Sequence, residues 1–256
     1  MISYCIACYR PVYSQLLIEE LIRKTSTPFE ILLWLNVDDP IFNQFLSDLR
    51  ADGVPIRILG STPQNIGMDA YFRLFEASQF DMVTQIDDDV VCISPGIAQT
   101  AAEIFERFPN VGMLTADVWQ DEFTTGARPP LEHYALVDPK HGLYAGPIDG
   151  WFAVYRKRSL QQCRRIPRGP YVFIGGHMQQ LLPQIGMRGL LCARMRVFHV
   201  IGPHYVSYFN MLDFEIQKYS RLGRTDIVRW YSEARGSLPP REELHARVEK
   251  IRESLR

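Results

Sequence analysis

Three adjacent carboxylates, Asp87, Asp88 and Asp89, follow an apolar segment at residues 80–86. Neighbouring negative charges repel one another, so a folded protein seldom keeps three together without a cation nearby. Mg²⁺ and Mn²⁺ are hard ions that bind carboxylate oxygens and leave positions open for phosphate oxygens. Asp-x-Asp at the end of a strand therefore indicates a metal–diphosphate site. A solvated acidic turn is the alternative, but the apolar residues on both sides of the run weigh against it.

Strand and helix patterns alternate around this run. The predicted strands are residues 2–8, 29–35, 54–59, 80–86 and 111–116, and the predicted helices are 12–24, 41–50, 68–77 and 94–108. This alternation is typical of an α/β fold with a mostly parallel sheet flanked by helices. Ligands of such sheets bind beyond the carboxyl ends of the strands. We therefore expect Tyr9, Arg10, Asp38, Asp39 and the three aspartates to converge.

The second half of the chain is less regular. Residues 120–147 are rich in Pro, Gly, Asp and His and predict a long excursion of the kind that often forms a binding lid. The predicted elements beyond it are a strand at 148–155, short helices at 159–165 and 178–185, and a short strand at 197–201. From Met211 onward the pattern is helical. These features predict a helical C-terminal appendage to the α/β domain.

The terminal helix carries one apolar stripe, formed by Leu244, Val248, Ile251 and Leu255. Such a stripe favours packing on the helix's own domain, and a homodimer contact is the alternative.

Composition narrows the classes of partner. A formal net charge of −1 gives no electrostatic case for binding nucleic acid. No apolar run approaches the ~20 residues that span a bilayer, and the N-terminus lacks the basic lead of a signal peptide. Five cysteines, an odd number, lie mostly in apolar segments, which favours reduced thiols and a cytoplasmic location. Cys5 and Cys8 share a predicted strand, so we expect buried thiols rather than a redox or zinc pair.

Roughly residues 1–205 resemble the GT-A glycosyltransferases, especially glycosyltransferase family 2 and its relatives. Tyr9-Arg10-Pro11 is similar to the turn that ends their first strand, and Asp38 or Asp39 matches the acidic residue after the second. Asn65-Ile66-Gly67 resembles the segment before the Asp-x-Asp strand. The order and spacing of these pieces carry the resemblance more than any one of them.

The later segments also resemble this family, with one departure. Residues 146–154, which include Asp149, are similar to the glycine-containing strand that lines the acceptor side in this family. Gly175-Gly176-His177 resembles a turn where many relatives place an acidic general base. The resemblance therefore implies that His177 or Asp149 is the catalytic base, and histidine can accept a proton near neutral pH. His199 resembles a histidine that some relatives add as a metal ligand.

The resemblance implies a GT-A domain at residues 1–205 and a helical extension at 206–256. It implies transfer of a hexosyl group from a nucleoside-diphosphate sugar to an acceptor hydroxyl, with Mn²⁺ or Mg²⁺ held by Asp87, Asp89 and His199. The expected donor-binding residues are Tyr9, Arg10, Asp38, Asn65, Gly67 and Asp88. A nucleotidyltransferase is one alternative, although the first turn lacks the glycine-rich loop of those enzymes. A catalytically weak or inactive sugar-nucleotide-binding protein is the other.

Overall fold

The computed structural model describes residues 1–124, 127–169 and 172–256, which form one large sheet flanked by helices. The strands are β1 (Ile2–Cys8), β2 (Phe29–Leu35), β3 (Ile56–Ser61), β4 (Met82–Ile86), β5 (Val90–Ile93), β6 (Val111–Val118), β7 (Ala135–Asp138), β8 (Leu143–Ala145), β9 (Phe152–Arg156) and β10 (Arg188–His199). The helices are α1 (Pro11–Lys24), α2 (Pro40–Ala51), α3 (Asp69–Ala77), α4 (Ile97–Arg107), α5 (Ile174–Leu181), α6 (Pro203–Tyr208), α7 (Leu212–Arg221), α8 (Thr225–Ala234) and α9 (Arg241–Ser254).

The strand order is β3-β2-β1-β4-β9-β6-β10-β8-β7, and β5 pairs with β10 outside this path. The first four strands in that order are parallel, because a helix crosses back over the sheet between each strand and the next along the chain. Cys8 pairs with Leu35, and Ile6 pairs with Ile86. The carboxyl ends of β1, β2 and β4 therefore meet at one edge, with the three aspartates directly after β4.

Beyond β4 the sheet is mixed, since β9 runs antiparallel to both β4 and β6. Part of the 120–147 excursion forms β7 and β8, which extend the sheet beyond β10. The last strand was predicted as five residues, yet β10 has twelve. Three arginines, Arg188, Arg194 and Arg196, interrupt its apolar pattern, and its pairing with β5, β6 and β8 holds it extended.

Apolar clusters fill both faces of the sheet, and a third cluster joins the C-terminal helices to it. In this third cluster Tyr231 and Val248 pack with Tyr13, Val91 and Phe198. The terminal stripe is buried within the chain: each of its four residues is at most 2% exposed. The C-terminal helices therefore pack directly against β5, β10 and α1.

All five cysteines are free and buried, which confirms that Cys5 and Cys8 are core thiols. In the described residues, no helix combines the length and the hydropathy needed to cross a bilayer.

Candidate functional site

The aspartates lie in the turn between β4 and β5, and His199 joins them from the end of β10. Antiparallel pairing of β10 with β5 sets His199 opposite Val90, next to Asp89. Each of Asp87, Asp89 and His199 offers one ligand atom, and these three atoms lie within 4.8 Å of one another. His199 Nε2 is 2.8 Å from Asp89 Oδ1. Two carboxylate oxygens and an imidazole nitrogen form a donor set that suits Mn²⁺, so these side chains fit the metal site expected from the sequence.

Arg10 is the main counter-charge of this cluster. Its guanidinium contacts Asp89 directly, lies 3.1 Å from Asp88 Oδ1 and 3.4 Å from Glu215 Oε1, and is about one-tenth exposed. Asp88 Oδ2 accepts hydrogen bonds from the amides of Tyr9 and Arg10, both at 2.7 Å. Asp88 is only 4% exposed, so its carboxylate fixes the β1–α1 turn rather than reaching freely toward a ligand.

The three carboxyl groups differ because their partners differ. Burial raises the pKa of Asp87, and the nearby charge of Asp89 raises it further. Burial alone would also raise the pKa of Asp89, but Arg10 and His199 lower it below its ordinary value. Among the described residues, no hydrogen-bond donor meets the Asp87 carboxylate. Asp87 is therefore the carboxylate with most to gain from a cation.

Helix α7 supplies two site residues that sequence reasoning missed. Glu215 is 2% exposed and binds both Arg10 and Lys218. Burial lowers the pKa of Lys218, and the charge of Arg10 lowers it further. In the sequence, Glu215 and Lys218 look like an ordinary ion pair at i and i+3 on a helix surface, so the local pattern does not identify them as site residues. Only the packing of α7 beneath the turn brings it to the site.

A cavity of about 650 Å³ opens beside the cluster. This volume lies within the range of pockets for nucleotide-sized ligands. Its wall includes most of the expected residues together with several new ones, namely Tyr9, Arg10, Asn36, Gln64, Asn65, Gly67, Met68, Asp87, Asp88, Asp89, His199, Glu215, Lys218, Tyr219 and Arg221.

Asp38 lies outside this wall. It is exposed, its Oδ1 accepts a hydrogen bond from Asn43, and the neighbouring Asp39 caps α2. Asn36, two residues earlier, is 2% exposed and takes the place in the wall that Asp38 was expected to fill. The register of β2 decides this, because its last strand residue, Leu35, pairs with Cys8.

The second expected pair, Asp149 and His177, lies at the amino end of α5. Asp149 Oδ1 accepts hydrogen bonds from the amides of Gly150 at 2.7 Å and Gly176 at 3.2 Å. A Cβ at Gly175 would lie 2.5 Å from the Gly150 nitrogen, so only glycine permits this approach. Burial raises the pKa of Asp149, although these amides oppose the rise. The half-buried His177 lies in the first turn of the same helix.

No protein-family model matches this sequence, and no curated protein matches it. Solved structures do. They include residues 1–349 of S. aureus TarS, at 13% identity and a TM-score of 0.53. They also include the mannosyltransferase PcManGT from Pyrobaculum calidifontis in complex with GDP-Man and Mn²⁺, at 14% identity and a TM-score of 0.55. A third match is GalNAc-T7 with UDP, GalNAc and Mn²⁺, at 9% identity and a TM-score of 0.62.

These matches cover 84%, 87% and 82% of this chain, respectively. The chain spans 64%, 64% and 47% of the structures it matches, which is less than two thirds of each. At these identities the likeness shows the fold, and it confirms the GT-A fold expected from the sequence.

The raised pKa of Asp87 predicts how the stability of the metal-free protein depends on pH. Between the ordinary value of about 3.9 and the raised one, the folded chain binds more protons than the unfolded chain, so stability falls as pH rises. Asp87→Asn removes this contribution. We expect the variant to melt above the wild type at pH 8 by about 3 °C or more, the shift that ~1 kcal/mol gives in a chain of this size.

The difference in melting temperature should grow from pH 5 to pH 8, as measured by calorimetry with a chelator present. Asp38→Asn is the matched control, because that carboxylate is exposed and outside the cavity. A difference that stays constant with pH would contradict the presence of a partly buried, unpaired carboxylate at position 87.

Proposed function

We propose that this chain is a metal-dependent glycosyltransferase that moves a sugar from a nucleoside-diphosphate sugar to an acceptor hydroxyl. The observation that carries the proposal is the convergence of Asp87, Asp89 and His199 at the wall of a nucleotide-sized cavity. The shared fold supports it, since the matched structures include two glycosyltransferases, one with GDP-Man and one with UDP, each with Mn²⁺.

The cavity offers separate surfaces for the parts of such a donor. Tyr9, Asn36, Asn65 and Gly67 line the side toward β1 and β2, where we place the nucleoside. Asn36 Oδ1 accepts a hydrogen bond from the Ile66 amide at 3.0 Å. The Nδ2 of the same side chain is buried and has no hydrogen-bond partner in the described chain. This Nδ2 can therefore donate a hydrogen bond to a base or ribose oxygen.

Asp87, Asp89 and His199 would hold Mn²⁺ or Mg²⁺. The ion would act as a Lewis acid toward the diphosphate leaving group. Arg10 and Lys218, which both bind Glu215 and line the cavity, would add positive charge where the diphosphate becomes more negative as it leaves. Asp88 then has a positioning role, because it holds Arg10 and the β1–α1 turn in place.

On the acceptor side we propose Asp149 as the base. Its Oδ1 is fixed by two amides, which orients the carboxylate and leaves Oδ2 to accept the proton of an entering hydroxyl. A pKa raised by burial brings this carboxylate closer to the operating pH, as a general base requires. The charge of Asp149 raises the pKa of Asp87, so the two carboxylates are near each other, which supports an acceptor side next to the donor side.

A donor panel tests the proposed function. UDP-, GDP-, ADP- and CDP-sugars are incubated with the protein in Mn²⁺ or in a chelator, and release of the nucleoside diphosphate is measured with acceptor sugars present. We expect release with one donor class in Mn²⁺. Asp87→Asn should lower the rate at least ~10²-fold, because a Lewis acid contributes several kcal/mol. Asp38→Asn should keep the wild-type rate. Equal rates in chelator and in Mn²⁺ would refute the proposal.

The identity of the base is tested by paired variants. Asp149→Asn keeps an oxygen for the Gly176 amide, so the helix end stays capped. We expect it to lower turnover ~10²–10⁴-fold and to leave affinity for the nucleoside diphosphate unchanged. The acidic limb of the wild-type pH profile should lie above the ordinary aspartate range.

His177→Ala should keep most of the turnover in the same assay. A large loss in His177→Ala with a small one in Asp149→Asn would assign the base to the histidine. Near-wild-type rates in both variants would exclude a base at either position.

A further inference from the structure

A run of basic residues outside the candidate site stands apart from the rest of the chain. Residues 156–168 contain six Lys or Arg and no Asp or Glu. The whole chain has 28 basic and 29 acidic residues, so the remainder has 22 and 29, a net charge of −7. The run is therefore a concentrated positive segment on an otherwise acidic protein.

Four of its arginines, Arg158, Arg164, Arg165 and Arg168, are exposed, and we name them the arginine track. Elsewhere many surface arginines pair with carboxylates, as Arg194, Arg235 and Arg247 do. Within the described chain, no carboxylate lies within salt-bridge distance of a track arginine. Their contacts are a main-chain oxygen, Pro109 O at 2.9 Å, a glutamine, and an aromatic ring. Their charges therefore remain available to an anion.

A helix carries three of the four track arginines and aligns two of them, Arg158 and Arg164. Residues Lys157–Arg165 form a 3₁₀ helix, in which positions three apart share a face. Arg158, Gln161 and Arg164 are exposed on one face, while Leu160 and Cys163 are buried on the other. At ~2 Å per residue the two arginines lie ~12 Å apart along the helix axis.

The track leads from the far edge of the sheet toward the candidate site. The Lys157 amide donates to Asp81 O, just before β4 begins, at the edge opposite the aspartates. The Gly169 amide donates to Asp69 at 2.9 Å, and the Arg168 guanidinium lies 3.8 Å from the centre of the Phe72 ring. Asp69 begins α3, directly after Gly67 and Met68 of the cavity wall. The Arg168 end of the track therefore lies near the rim of the cavity.

We propose that the arginine track binds phosphate groups of a linear, phosphate-bearing acceptor and guides its hydroxyl-bearing end toward Asp149. This inference rests on the proposed function and names the acceptor's chemical class. Guanidinium groups bind phosphate with paired hydrogen bonds, which suits repeated contacts along a chain. Among described residues 156–175, Phe173 is the one large apolar residue that is exposed, whereas a membrane surface calls for a broad basic and apolar face.

Binding of fluorescently labelled inorganic polyphosphate tests the proposal, with anisotropy measured over a range of salt concentrations. Arg164→Gln/Arg165→Gln should weaken binding at least ~5-fold and lower the slope of log K against log salt by roughly 1.4, at ~0.7 per phosphate contact. Arg50→Gln/Arg229→Gln is the matched control, because it removes the same charge from exposed positions on α2 and α8. The control should bind as the wild type does.

Equal weakening in both double variants would overturn the proposal, since it would show a general charge effect. Binding to phosphatidylserine vesicles without binding to polyphosphate would assign the track to a membrane surface instead. Nucleoside-diphosphate binding in Mn²⁺ is measured in parallel and should be unchanged in the track variant. If the wild type does not bind any nucleoside diphosphate, the proposed function is refuted, but the phosphate-binding role of the arginine track is not. The polyphosphate measurement alone tests that role.

Discussion

Burial of like charges in the β4–β5 turn is the constraint on which the rest of the site depends. Removing a carboxylate from water costs several kcal/mol unless a partner offsets the loss. Asp88 is offset by two backbone amides and Arg10, and Asp89 by Arg10 and His199. These partners come from the end of β1 and the end of β10, so the sheet topology satisfies the charge balance. Among the described residues Asp87 has no such partner, and this is why we propose that the turn binds a cation.

Arg10 has a double role in this balance. It neutralises Asp88, Asp89 and Glu215 in the metal-free protein, and it also faces the cavity. An ion ligated by Asp89 would share that carboxylate with Arg10, so in the proposed site metal occupancy would be coupled to the position of Arg10. Helix α7 takes part in the coupling, because Glu215 binds Arg10 from one side and Lys218 from the other. The C-terminal helices are therefore part of the site and more than a cover for the sheet.

The sequence predicted the N-terminal half of the fold well because each strand and helix there has its own local pattern. The three aspartates were predicted as a metal–diphosphate site from their type and their place after a strand, whereas His199 was predicted as a ligand only from the resemblance to the GT-A family. Asn36, Glu215 and Lys218 could not, since strand register and helix packing decide that they face the cavity. β10 was underestimated for a related reason: its arginines break the apolar pattern, and its extended form comes from three neighbouring strands. Local pattern sets the elements, while long-range pairing sets which side chains meet.

The central claim is that metal and nucleoside diphosphate bind one shared site. Titration calorimetry of nucleoside diphosphates into the protein, with Mn²⁺ and with a chelator, tests it most directly. We expect Mn²⁺ to tighten binding of one nucleoside diphosphate by at least ~10-fold, and this diphosphate to tighten Mn²⁺ binding by the same factor, as linkage requires. Equal affinities with and without Mn²⁺, or no binding of any nucleoside diphosphate, would contradict it.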